Sequence, residues 1–202
     1  LYLYVRNKEN MAGRPKIFDE EQALDKAIAV FWEKGYENAS AENLLKAMGI
    51  GKGSFYHSYK GGKQELFEKS VNRVGSHYMK DFKQALRDSA RPTEEIRKFF
   101  YAVADPESQF GKFGCYFVNA VLQVDDEHLK CVAANQLDVV RQLFMEAIDR
   151  EKNAGYLKTA LSTELIGLHL QSLWAGVNVI RNAGRSAKEV REVIKLNLEI
   201  LE

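Results

Sequence analysis

Apolar residues recur along this chain at spacings of three and four, the period of one helix face, from residue 23 almost to its end. Ala23, Ala27, Val30 and Phe31 mark the inner side of a first helix, with Asp19 as its N-cap and Gly35 as its stop. Phe67, Val71, Val74, Tyr78 and Phe82 mark a long helix, expected from Lys63 to Ser89 as a single rigid rod of about 35 Å. After the break at Arg91-Pro92, Ile96, Phe99, Phe100 and Val103 define a helix over 93–104, and another apolar helix follows over 115–124. Asp125-Asp126-Glu127 then sets acids at a helix N-terminus, ahead of a stripe of Leu129, Val132, Gln136, Val140, Leu143 and Ala147. Ser162 opens a helix carrying Ile166, Leu170, Leu173, Val177 and Ile180, and Ser186 opens the last. There is no strand alternation, repeat or low-complexity segment. The expected fold is all-α, about nine helices, with a three-helix head and a larger helical body.

One stretch is more specific. From Ser40 to Lys63 a short helix capped by Ser40, with Leu44, Leu45 and Met48 inward, meets a turn at Gly49 and Ile50. A second short helix, Gly51 to Tyr59, keeps Phe55 and Tyr59 on one face. Two short helices about a tight glycine turn make a helix-turn-helix. Around the buried Phe55, Lys52, Gly53, Ser54, Tyr56 and His57 leave an outer face of small and hydrogen-bonding groups, the size of a patch one helix presents to a major groove. Lys46, Lys52, Lys60 and Lys63 occur between Asn43 and Gln64 with no acid among them, which suits a polyanion.

Composition adds bounds. Apolar residues are 46% of the 202, enough for a sizeable core, and the net charge of +1 leaves the basic character local. Two cysteines, Cys115 and Cys131, without close Cys or His partners fit free thiols in a reducing, cytoplasmic setting. No apolar run approaches the ~20 residues of a membrane span. Residues 1–10 read as sequence ahead of a natural start at Met11, and Arg14 and Lys16 as a small basic arm. Cys115 and His128 invite a Cys–His nucleophile, but no third orienting residue stands out. The spacing of Cys115, Cys131, His128 and His169 matches no compact metal motif, so neither catalysis nor a cofactor is expected.

The run Gly49-Ile50-Gly51-Lys52-Gly53-Ser54-Phe55-Tyr56-His57-Ser58-Tyr59-Lys60, followed by Lys63-Gln64-Glu65-Leu66-Phe67, resembles the recognition segment of TetR-family transcriptional regulators. Upstream, Ala23-x3-Ala27-x3-Phe31-x3-Gly35-Tyr36 is similar to that family's first helix. Two departures stand out: Gly51 occupies a place usually held by Ser or Thr, and Gly61-Gly62 lengthens the next turn by one residue. The resemblance implies a helix-turn-helix domain at 11–62 and a ligand-binding and dimerisation domain at 63–202. It also implies a homodimer through 162–202, double-stranded operator DNA and a small-molecule effector as partners, and repression as the usual outcome. Residues expected at the DNA are Ser40, Lys52, Gly53, Ser54, Tyr56, His57, Lys60 and Lys63, with Tyr56 and Lys60 on phosphates and Ser54 and His57 on base edges.

In the body, Gly114-Cys115-Tyr116-Phe117-Val118-Asn119 is similar to a segment of one branch of that family. An effector cavity is expected from Phe99, Phe100, Cys115, Phe117, Asn119, Phe144, Trp174 and Asn178. Each polar member also reads as an ordinary core group with its hydrogen bonds satisfied inside the fold. Two alternatives stay open: a constitutive architectural DNA-binding protein, and a thiol sensor in which the helix start and Lys112 activate Cys115.

Overall fold

The computed structural model describes residues 18–105, 107 and 113–202. The expected upstream segment 1–10, the arm of Arg14 and Lys16, Lys112 and most of the 105–114 loop lie outside those residues. Among the described residues every regular element is helical. The head holds α1 (Glu20–Asn38), α2 (Ala41–Met48) and α3 (Lys52–Ser58). Next come α4 (Gly62–Arg73), a π-helical turn (Val74–Tyr78) and α5 (Lys80–Asp88). The chain continues through α6 (Pro92–Val103), α7 (Tyr116–Gln123), α8 (Glu127–Asn153), α9 (Thr163–Asn182) and α10 (Ala187–Leu198). Counting α4 to α5 as one run, nine helices stand among the described residues.

The starts are set by side chains. Asp19 accepts the amides of Glu21 and Gln22 at 3.0 and 3.1 Å, Asp126 that of Leu129 at 2.9 Å, and Ser162 that of Leu165 at 3.2 Å. Ser186 and Glu189 form a reciprocal capping box. Each cap contributes about 1 kcal/mol by occupying an amide the helix cannot use itself. Gly35 ends the regular part of α1 at φ 74°, and a Cβ there would lie 2.9 Å from Gln123 Oε1 on α7.

The expected single rod is interrupted. At Val74–Tyr78 the backbone adopts a π turn, and Met79 leaves helical geometry at φ −91°, ψ 1°. Lys83 Nζ donates to the Gly75 carbonyl at 2.8 Å, and a Cβ on Gly75 would fall 2.0 Å from Gln136 Oε1. A side chain from α8 thus docks where only glycine leaves room, and the extra residue of the π turn is stabilised from both sides.

Helix α8 runs through the body against α4, α6, α7 and α9, and α10 covers α9 and α6. Neighbours on several sides bury Leu129, Ala133, Val140, Phe144 and Ala147, while the expected Val132, Gln136 and Leu143 are half-buried. An aromatic stack fills the centre: Phe99 lies face-on to Trp174 at 4.4 Å and to Phe82 at 4.2 Å, backed by Phe100 and Phe144. Helix α7 packs on α1, tying body to head.

Candidate DNA interface and the cavity behind it

Helix α2 ends at Gly49 in the left-handed region (φ 71°, ψ 30°), and the amides of Gly49 and Ile50 both return to the Leu45 carbonyl at 3.0 and 3.2 Å. This closure drops α3 across α2. Phe55 and Tyr59 are buried with their centroids 5.3 Å apart, so the other side of α3 must face outward. There Lys52, Gly53, Tyr56, His57 and Lys60 are exposed and Ser54 is half-buried. A Cβ at Gly51 or Gly53 would meet nothing within 4 Å. The face is open to an approaching backbone or groove, and α3 starts with no side-chain cap, as glycine at 51 requires.

Two expected contacts are occupied differently. Ser40 accepts the Asn43 amide at 3.1 Å, so its exposed hydroxyl is held as the cap of α2. Lys63 Nζ donates to the Glu37 carbonyl at 3.2 Å and sits 4.3 Å from the centre of the Tyr36 ring. Burial there lowers its pKa, and its ammonium braces α4 against the end of α1. The head is held from behind by Arg73, whose guanidinium donates to both Asp25 oxygens at 2.6 and 2.8 Å. That bidentate bond holds the Asp25 carboxyl below its usual range.

Behind the head lies a cavity of about 20 Å³. Trp32, Tyr78, Phe99, Tyr116, Phe117 and Trp174 form its rings, with Val74, Met79, Cys115, Leu137 and Val140 between them. Tyr116 also lines a second cavity of about 10 Å³ toward the head, beside Phe31, Tyr36 and Asn119. Its hydroxyl is 2.7 Å from Ser70 Oγ, and burial pushes its pKa far up.

A family model described as bacterial regulatory proteins, tetR family, matches residues 23–69. The HTH-type transcriptional regulator YezE of Bacillus subtilis (strain 168) is 31% identical over 151 residues, covering 72% of this chain and 76% of its own. This chain belongs to the TetR family. The HTH-type transcriptional repressor ComR of Escherichia coli (strain K12) is 22% identical over 192 residues, 93% of this chain and 91% of its own. A cysteine-substituted form of the TetR-family regulator CifR, complexed with 26-bp double-strand operator DNA, superposes with TM-score 0.81 at 25% identity, covering 94% of this chain and all of that one. As a member of the TetR family the chain is a DNA-binding transcriptional regulator, and its all-α architecture is that family's.

In this TetR regulator the expected effector set divides. Phe99, Cys115, Phe117 and Trp174 face the cavity, while Phe100 and Phe144 stand behind as fully buried core. Asn119 is elsewhere, donating to the Phe113 carbonyl at 2.8 Å. Asn178 donates to the Trp174 carbonyl at 2.7 Å, and its Oδ1 is buried without a partner among the described residues. Trp32, Val74, Tyr78 and Met79 were not expected at the cavity. The signal for Trp32 was Ile28 and Trp32 four apart, a second buried stripe beside Ala27 and Phe31.

The two thiols differ in exposure. Cys115, the thiol of the sensor alternative, is 3% exposed, and burial raises its pKa against the smaller pull of the Val118 and Phe117 amides and the Trp174 indole. Cys131 is exposed. Burial there outweighs what a helix start offers a thiolate.

Proposed function

We propose that the chain is a homodimeric repressor that binds a palindromic operator through α3 and is released by a small molecule in the body. The observation that carries the operator part is the outer face of α3, glycine-opened and basic, which fits direct contact with a major groove. In this reading Lys60, Tyr56 and the backbone at Lys52 hold phosphates, and Ser54 and His57 reach base edges. The head runs to residue 62, although the first turns of α4 pack with it through Phe67, whose ring meets Phe31 at 5.0 Å.

The dimer part rests on a second apolar stripe. Leu165, Leu168 and Val179 on α9 are more than half exposed, as is Leu196 on α10 beside Val193. Between them lie Ser172 and Gly176, also exposed, where a Cβ on Gly176 would meet nothing within 4 Å. Large residues flanking small ones on one helix face suit close crossing with a second copy, in a four-helix bundle made of both α9–α10 pairs.

One observation favours the effector-free alternative: the cavity is near the size of a single water. The thiol alternative is opposed by the burial of Cys115. Selection of bound fragments from random DNA tests the operator reading. An inverted repeat with half-site centres about 34–36 Å apart, or a multiple of that spacing, is expected. A consensus with no repeat would overturn the two-headed arrangement.

A further inference from the structure

We propose that Trp32, carried by the DNA-binding head, is itself part of the effector site, and that a neutral aromatic molecule entering the cavity takes its indole off the Gly114 carbonyl. This rests on the effector-released reading above.

The ligand class follows from the wall. Six rings surround the space, and no acid, lysine, arginine or histidine is among the described lining residues. A charge placed there would be buried unpaired, which is costly. Three of the four polar handles on the rings are engaged, the Trp174 indole with Cys115 among them. Trp32 Nε1 donates to Gly114 O at 3.0 Å, and the Tyr116 hydroxyl pairs with Ser70 at 2.7 Å. Ring faces and edges, with the neutral Tyr78 hydroxyl, are what the wall offers a ligand, and these favour another ring.

The way in follows from the volume. About 20 Å³ is far below the roughly 150 Å³ of a cavity that takes benzene, so a wall must yield. The Phe99–Trp174 side is stacked at 4.4 Å and backed by the fully buried Phe100 and Phe144. The opposite side is built differently. Trp32 meets Tyr78 and Tyr116 edge-on at 6.3 and 5.3 Å, and Val74 and Tyr78 come from the π turn. Such π turns are rare interruptions of α-helices that recur at functional sites, and this one carries two side chains of the wall. Trp32 lies on α1, the helix against which α2 packs, so its displacement tilts the element that aims α3. The effector thereby prefers a head position other than the operator-bound one, the differential affinity that release requires.

The test uses the full chain, whose only tryptophans, Trp32 and Trp174, both line the cavity. The probes are 4-iodotoluene and 4-iodobenzoate, similar in size, one neutral and one anionic, with iodine as the fluorescence quencher. Saturable quenching by 4-iodotoluene is expected, with the carboxylate at least about tenfold weaker. In wild type the operator dissociation constant should rise about tenfold with 4-iodotoluene. In Trp32→Phe that ratio should fall below about twofold while Trp174 is still quenched. Because the variant can lose fold, 19F spectra of 5-fluorotryptophan-labelled wild type give a second readout, in which both resonances should shift. Equal binding of the carboxylate, an undiminished ratio in Trp32→Phe, or a fixed Trp32 resonance beside a shifting Trp174 each overturns the proposal. Wild type that binds its operator but shows no saturable quenching also overturns it while sparing the operator reading. Wild type without specific operator binding removes the reading underneath.

Discussion

The indole N–H of Trp32 donates to the carbonyl oxygen of Gly114 across 82 residues of sequence, at 3.0 Å, joining the first helix of the head to the residue that leads into α7. Around that bond, Trp32 and Tyr116 meet edge-on at 5.3 Å and Tyr116 pairs with Ser70 on α4. Head and body therefore share an aromatic joint.

Gly53 separates stability from binding. Its backbone is helical and nothing lies within 4 Å of a Cβ placed there, so Gly53→Ala should stabilise the head by about 0.5–1 kcal/mol. If the face meets DNA, the same methyl intrudes on the contact and operator affinity should fall. Thermal unfolding and operator titration of the one variant check both signs; a gain in stability with unchanged affinity would place the DNA elsewhere.

The seam can be tested apart from the core. Leu173 and Val177 were natural choices from sequence spacing, yet they are 7% and 0% exposed inside one chain, so a charge there should unfold the body. Leu168, 54% exposed, is the better probe. Leu168→Glu should give folded monomers by sedimentation velocity and a collapse of operator affinity. Folded dimers would locate the interface on another face.

Glu151 is a buried carboxylate, with its side chain 2% exposed. It accepts the Thr93 amide at 2.9 Å, the Thr93 hydroxyl at 2.7 Å and Arg91 Nε at 3.2 Å, capping α6 from the end of α8. Burial alone would raise its pKa, but the Thr93 and Arg91 bonds outweigh it and the carboxyl lies below its ordinary 4.5. A depressed carboxyl stabilises the fold fully above the unfolded value and loses that contribution as pH falls through the folded one. Stability should thus drop on acidification below about pH 4.5, and Glu151→Gln should cost about 1–3 kcal/mol at neutral pH while flattening that drop. An unchanged acid slope in the variant would assign the transition to other carboxylates.

Alkylation distinguishes the thiols. Iodoacetamide on native protein should label Cys131 and spare Cys115 until the chain unfolds, as mass spectrometry of digested protein would read. Cys115→Ser should retain operator release by a neutral ligand. Native labelling at Cys115 would restore the thiol-sensor alternative.

Much of this was legible in the residues, for identifiable reasons. The helix-turn-helix could be read because Gly49, Phe55 and Tyr59 each have one job, a turn or a buried ring, and that fixes which side of α3 is left. Trp32 was missed because a helix that packs both on its own domain and on the next carries two apolar stripes, and the Ala27–Phe31 stripe alone accounts for the head. The π turn left no trace in the spacing: Phe67 to Phe82 runs 4-3-4-4, an ordinary α-helical stripe, and the side chain that docks on Gly75, Gln136, comes from a helix far along the chain. Asn119 and Cys115 show the same limit. Periodicity tells that a residue is on an apolar helix, but whether it faces a cavity or a neighbouring carbonyl depends on partners it does not encode.

The central claim, that α3 reads the operator, is tested most directly by affinity over a salt series on the selected site, with wild type, Lys60→Ala and His57→Ala, and reselection of the consensus with each. The account predicts that Lys60→Ala weakens all sequences alike and lowers the salt slope by about one unit. His57→Ala should keep the slope and relax one base position in each half-site. Unchanged slope and unchanged consensus in both variants would contradict it.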